Sequence, residues 1–339
     1  MDNRQFFKEA RFGMMMHFGL YSLLGGEWKG ERVGTLAEWA QSYFRIPNAE
    51  YRRLAEAFNP IFFDAEEYVK LAKEIGMKYF VVTAKHHEGF ALFRSKASDF
   101  NSVDATPCHR DFIGEIAEAC AKHGLKLGLY YSQEVDWSHP HGGGNGHFSK
   151  HTFHNGDPLS VSNCWDFPDL CAKDYRICYE EKILPQVEEL LTQYGDIFLI
   201  WFDMPENITP EQSKGLYDFV KRLQPDCLVN SRIGNGIGDY RSTDDNEIDF
   251  NIGDKSRDGL AGARAAEDRV ATGLYECPAT LNDTWGWKSF DQNWKSPERL
   301  REIKERLNAK GINYLLNVGP DNLGRLPAES LRILRALAD

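Results

Sequence analysis

Short apolar runs alternate with amphipathic stretches along this chain, and glycines stand at the junctions. Residues 64–75 place apolar side chains at helical spacing, Gly76 follows, and MKYFVVTAK then reads as a buried strand. Residues 112–123 repeat the arrangement, with Gly124 and LKLGLYYS after them. Ser296 and Pro297 supply an N-cap and a first-turn proline for a helix to Lys310, which Gly311 ends before INYLLNVGP. Glycine stops a helix cheaply because it accepts the left-handed backbone that closes the last turn. FGMMMHFG, DIFLIWFD and CLVNSR complete the better strands, and the segments near Asp244–Phe250 and Leu274–Cys277 are weaker ones. Continuously apolar strands separated by helices predict a parallel sheet covered by helices. Eight such strands predict a (β/α)8-like TIM barrel, irregular in places. No linker or repeat interrupts it, so residues 1–339 read as one domain. A doubly wound open sheet is the structural alternative, but the phosphate-binding glycine turn expected after an early strand is missing.

Composition narrows the function. The chain has 339 residues, 42% hydrophobic and 27% charged, with no apolar run long enough for a membrane helix. Its net charge of -11 and lack of a basic cluster argue against nucleic-acid binding and suit a neutral substrate. Seven cysteines without a CxxC pair indicate reduced thiols rather than a disulfide framework or zinc site. The amino terminus lacks the pattern of a secretory signal, which predicts a cytoplasmic protein unless a signal had been removed. Oligomeric state stays open, with a homo-oligomer compatible.

In a parallel barrel the site gathers at the carboxyl ends of the strands. His17, His86, His87, Tyr130, Tyr131, Asp203 and Arg232 all lie there, and Asn317 lies within the last strand. Asp203 is the sharpest candidate, because a carboxylate behind Trp201 and Phe202 is partly stripped of water and requires a partner or a function. A structural, turn-capping role is the plain alternative. GDYRSTDDNEIDF adds Asp244, Asp245 and Glu247 as a second carboxylate source. His86 and His87 suggest metal ligation, but neighbours on a strand point opposite ways, so hydrogen bonding to sugar hydroxyls is at least as plausible. The glycine-rich HPHGGGNGH within Trp137–Asn163 reads as a solvated loop. No metal and no cofactor are predicted.

RFGMMMHFGLYS, LAEW, FDAEEYVKLAKEIGMKYFVVTAKHHEGF, RDFIGEIAEACAKHGLKLGLYYS, IWFD, DYRS and NYLLNVGPDNLGRLP follow one another in this chain. In that order they resemble glycoside hydrolase family 29, the α-L-fucosidases. The resemblance implies a retaining exo-fucosidase with Asp203 as nucleophile. It implies that His17, Glu38, Trp39, His86 and His87 hold the fucose hydroxyls, that Tyr131 and Trp201 share the pocket, and that Arg232 lies near the nucleophile. Trp285 would pack on the sugar, whose methyl sheds water readily onto an aromatic face. The acid/base falls on Glu247, whose longer side chain reaches further, with Asp244 and Glu276 as alternatives. Glu88 stands where aspartate is commoner in the family. The chain leaves no room for the carboxy-terminal β-sandwich of many relatives. The implied partner is a fucosylated oligosaccharide or small fucoside. A glycosidase for another 6-deoxy or galacto-configured sugar, a non-catalytic fucose-binding barrel, and a metal-dependent isomerase or Schiff-base aldolase using Lys85 are the competing readings.

Overall fold

The computed structural model describes residues 2–143, 151–153, 157–159, 161–205, 208–242 and 273–338. The eight barrel strands are β1 (Phe12–Met16), β2 (Tyr79–Lys85), β3 (Lys126–Ser132), β4 (Ile197–Asp203), β5 (Leu228–Val229), β6 (Arg241–Ser242), β7 (Tyr275–Thr280) and β8 (Ile312–Val318). All their pairings are parallel, in the spatial order β6-β7-β8-β1-β2-β3-β4-β5. A parallel bridge between Asn230 and Tyr240 joins the two outer strands, so the sheet curls into the predicted barrel. The doubly wound alternative is thereby excluded.

The helices are α1 (Asn3–Ala10), α2 (Ala65–Glu74), α3 (Phe112–His123), α4 (Leu184–Gln193), α5 (Pro210–Leu223), α6 (Pro297–Ala309) and α7 (Ala328–Ala336), with shorter turns between. The predicted caps act as expected. Asp64 accepts from the Glu67 N–H and Ser296 from the Arg299 N–H, and Gly124 ends α3 in the left-handed region at φ 74°. CLVNSR yields only the two-residue β5, the weaker segment at Leu274–Cys277 forms the six-residue β7, and the strand expected near Asp244–Phe250 lies outside the described residues.

Strand alternation sorts the core into two compartments. One set of side chains, including Phe80, Val82, Tyr131, Phe202, Leu316 and Val318, packs outward against the helices. The other set fills the barrel and includes Met15, Tyr79, Val81, Tyr130, Leu199, Trp201, Tyr240 and Leu315. A third cluster of Trp39, Val135, Trp137, Val161 and Met204 sits over the strand ends. No described helix is long and apolar enough to cross a membrane.

Candidate active site

Asp203 is the last residue of β4 and is 8% exposed. Its Oδ1 accepts from Arg232 Nε at 2.9 Å, from Arg232 Nη2, and from the Met204 N–H at 2.8 Å. Its Oδ2 accepts from the Tyr130 hydroxyl at 2.6 Å, and His87 Nε2 stands 3.9 Å away. A carboxylate so surrounded is held ionised and in one orientation, since the guanidinium compensates the charge and the neutral donors fix the oxygens. Met204 contributes through its backbone. Its φ of 58° is costly for a side chain with a Cβ, of order 1 kcal/mol, and it turns the amide back onto its neighbour.

Neutral histidines flank this anion. Asn317 Nδ2 donates to the Trp285 carbonyl at 2.7 Å, so Asn317 Oδ1 accepts from His17 Nδ1–H, also at 2.7 Å. That fixes the His17 tautomer and leaves Nε2 with a lone pair. Burial lowers the His17 pKa to about 4, against the opposing pull of the Asn317 bond and Asp203. Burial likewise pushes His86 well below its ordinary value, and the adjacent His87 adds to the effect. The His86 ring stacks on Tyr130 with centroids 5.3 Å apart, and its Nδ1 is buried without a hydrogen-bond partner among the described residues. The Ser132 hydroxyl gives its proton to the Val135 carbonyl, so it accepts from His87 Nδ1–H at 2.7 Å.

His86 and His87 therefore reach the same place, contrary to the alternation argument. Register slips between Thr83 and Lys85, and the strand ends at Lys85, so neither histidine obeys strand geometry. Their rings lie 4.0 Å apart.

The other expected residues divide. Trp39 sets its ring edge-on to His87 at 4.8 Å. Glu38 Oε2 accepts from the Thr284 hydroxyl and the Gly286 N–H, which ties Glu38 to the loop carrying Trp285. Burial raises Glu38 to about 7. The Trp285 ring lies 5.3 Å from His17. Trp201 stacks on Tyr130 at 5.5 Å, under the Arg232 guanidinium.

Tyr131 is a correction. It points outward, where its hydroxyl donates to Gln186 in α4 and its ring packs near Lys85. Tyr130 is the tyrosine that faces the site. Counting alternate positions from Gly128, whose missing side chain lets Leu199 and Val81 close in, would have found it. Lys85 is sealed with its ammonium on Asp136, away from Asp203, so the Schiff-base reading loses its lysine. Glu88 faces away, accepting from the Leu20 and Tyr21 N–H groups and from the Tyr51 hydroxyl.

Of the acid/base candidates, Glu247 and Asp244 lie outside the described residues. Glu276 is fully buried inside the barrel. Its Oε2 accepts from the Tyr79 hydroxyl at 2.8 Å and its Oε1 from Trp201 Nε1 at 3.0 Å. It pairs with Asn313, four residues before Asn317, and so sits beneath the level of the histidines.

A barrel with a paired, buried carboxylate at its strand ends, walled by neutral histidines and tryptophans, is the pocket of a glycoside hydrolase. The α-L-fucosidase family model matches residues 1–339, and this chain belongs to that family. It is 50% identical to the α-L-fucosidase AlfC from Lactobacillus casei solved with α-L-fucose, at a TM-score of 0.89 over 100% of this chain and 97% of that one. A mutant of AlfC holds Fuc(α1,6)GlcNAc, at 49% identity and the same TM-score and coverage. The tissue α-L-fucosidase of Rattus norvegicus is 28% identical over 96% of this chain, which spans 65% of that protein's length.

Proposed function

We propose that this protein is a retaining exo-α-L-fucosidase, with residues 1–339 acting as one catalytic domain on terminal α-L-fucosyl groups of oligosaccharides or small fucosides. The observation that carries the reading is Asp203, buried at a strand end with both oxygens in charge-assisted or short hydrogen bonds. In this mechanism an Asp203 oxygen bonds to the anomeric carbon as the bond to the aglycone oxygen breaks, and that oxygen takes a proton from the acid. Water then attacks the fucosyl-enzyme, giving its proton to the same residue, and Asp203 leaves with net retention. Retaining enzymes hold the two carboxyls about 5–5.5 Å apart. Glu247 is the proposed acid/base and Asp244 the alternative. Glu276 suits the task less, because both its oxygens are engaged beneath Trp201.

His17 Nε2 offers a lone pair to a substrate hydroxyl, and a neutral ring leaves the fucosyl cation character of the transition state unopposed. His86 and His87 are proposed to hold further hydroxyls, and Trp285 to cover the sugar beside His17. Ligand-bound AlfC supports the same substrate class here.

The test has two stages. The unaltered protein should release nitrophenol from 4-nitrophenyl α-L-fucoside far faster than from the β-L-fucoside or α-D-galactoside. Asp203→Gly should then be inert but recover with azide, yielding β-L-fucosyl azide. A folded Asp203→Gly protein that stays inert at high azide would count against Asp203. Parallel alanine variants at Asp244, Asp245 and Glu247 identify the acid/base as the one whose azide product keeps the α configuration.

A further inference from the structure

Two lysines share one buried aspartate beside this site, and the proposed chemistry uses none of them. Lys85 Nζ donates to Asp136 Oδ2 at 3.0 Å, and Lys182 Nζ lies 2.7 Å from the same oxygen. The Lys85 and Asp136 side chains are fully buried and that of Lys182 is 5% exposed. Burying charge is expensive, and two ammonium groups on one carboxylate leave the cluster unbalanced, so a reason for it is required. The chain goes to some length to build it. Lys182 sits in a π-helical turn, Tyr179–Ile183, a distortion that recurs at functional sites.

The surroundings show what the cluster holds. Asp136 lies in the loop after β3, between Ser132, which binds His87 Nδ1, and Trp137, whose N–H donates to the His87 carbonyl at 2.8 Å. Asp136 Oδ1 accepts from the Ser138 N–H and hydroxyl. Lys182 also donates to the Gly89 carbonyl at 3.2 Å and to Ser138 Oγ at 3.0 Å. Lys85 immediately precedes the histidine pair. The turn from His86 to Gly89 is thus gripped from the strand side by Lys85, from the loop side by Ser132 and Trp137, and from the helix side by Lys182. Gly89 is shaped to the cluster: its φ is 79°, and a Cβ there would overlap both the Ser138 hydroxyl and the Asp136 carboxylate.

We infer that Lys85, Asp136 and Lys182 are positioning residues that lock the His87 ring and the Trp137 wall against Asp203. They touch no substrate and act through His87. The inference rests on the proposed role of His87 in holding the sugar.

A double-mutant cycle with 4-nitrophenyl α-L-fucoside tests it, with L-fucose binding by calorimetry as a second readout. Lys182→Met leaves the Lys85–Asp136 pair intact. It should lower kcat/KM on the order of tenfold, since small displacements of a contact group cost that much or more. It should also share the division between kcat and KM that His87→Ala produces. In the His87→Ala background the same change should cost less than about twofold. A merely structural role predicts a fall in kcat alone, from a smaller folded fraction, and equal losses in both backgrounds. Equal losses would overturn the inference. If Lys182→Met does not fold, Ser138→Ala perturbs the cluster without altering charge and enters the same cycle. Turnover or fucose binding by the unaltered protein with additive losses defeats the positioning role alone. Absence of both from the unaltered protein defeats the site reading and this role together.

Discussion

Replacing Glu276 with glutamine separates a buried structural carboxyl from a catalytic one. Glu276 is enclosed by the barrel, and burial lifts its pKa from 4.5 to about 7, although the hydrogen bonds from Tyr79 and Trp201 pull the other way. A carboxyl with a folded pKa above its unfolded one binds protons more tightly in the fold. Its stabilising contribution is whole below about pH 4.5 and is lost as pH rises through 7. Across that window the loss for this one group comes to about 3 kcal/mol. Glutamine keeps the shape and cannot ionise. Its oxygen can still accept from Trp201 Nε1, and its amide can donate to the Tyr79 oxygen once that hydroxyl rotates. Urea unfolding at pH 5 and pH 8 should therefore show the variant losing about 3 kcal/mol less than the parent between the two. Glu38 and Glu88 are raised to about 7 by burial as well and remain in both proteins, so the variant keeps a reduced slope. The same protein should hydrolyse 4-nitrophenyl α-L-fucoside within about tenfold of the parent and gain nothing from azide. An unchanged pH slope would refute the stability argument. Loss of turnover with azide rescue would make Glu276 the acid/base and remove Glu247 and Asp244.

The neighbouring tyrosines should behave oppositely. Tyr130→Phe removes a hydrogen bond to a charged oxygen, worth about 1.5–3 kcal/mol, so kcat/KM should fall on the order of 10- to 100-fold. Tyr131→Phe should leave kcat/KM within about twofold and cost about 1 kcal/mol in unfolding, because its hydroxyl serves Gln186. His17 gives the acid limb: with a folded pKa of about 4 against 6.5 it is buried neutral, so its contribution is present above pH 6.5 and is lost as pH falls toward 4. His17→Gln, which can still donate to Asn317 Oδ1, should flatten unfolding stability between pH 6.5 and 4 by about 3 kcal/mol.

The barrel was legible because its signals are local. A capping aspartate or serine, a glycine stop and an apolar run each act over a few residues, and Asp64, Ser296 and Gly124 do in the structure what they promise in the sequence. Asp203 was legible for a related reason, since a carboxylate that ends IFLIWF has nowhere to go but the mouth of the barrel. Tyr131 was misplaced because strand alternation was not counted through β3. His86 and His87 show the converse fault: alternation was applied one residue past the end of β2, where it no longer holds.

What the sequence concealed are contacts between residues far apart in the chain. Nothing near Lys85 announces that Asp136 and Lys182 will meet it, or that a π-turn will deliver the second lysine. Nothing near Glu38 announces that it will hold the loop of Trp285 through Gly286, 248 positions away. Such pairings follow from barrel closure, and closure is a global property. Their energetics nevertheless leave a trace that can be read afterwards. A buried polar group in a chain of marginal stability persists only if it is matched, and three such matches border proposed sugar contacts: Arg232 on Asp203, Asn317 on His17, Ser132 on His87. The density of buried polar groups at the carboxyl ends of the strands is thus itself an argument for the location of the site, independent of any family resemblance. Beneath that layer the barrel interior is mainly Met15, Val81, Leu199 and Leu315, with Glu276 the charged intruder. That contrast is why the glutamine variant is informative: it asks whether this carboxyl below the floor belongs to the chemistry above it.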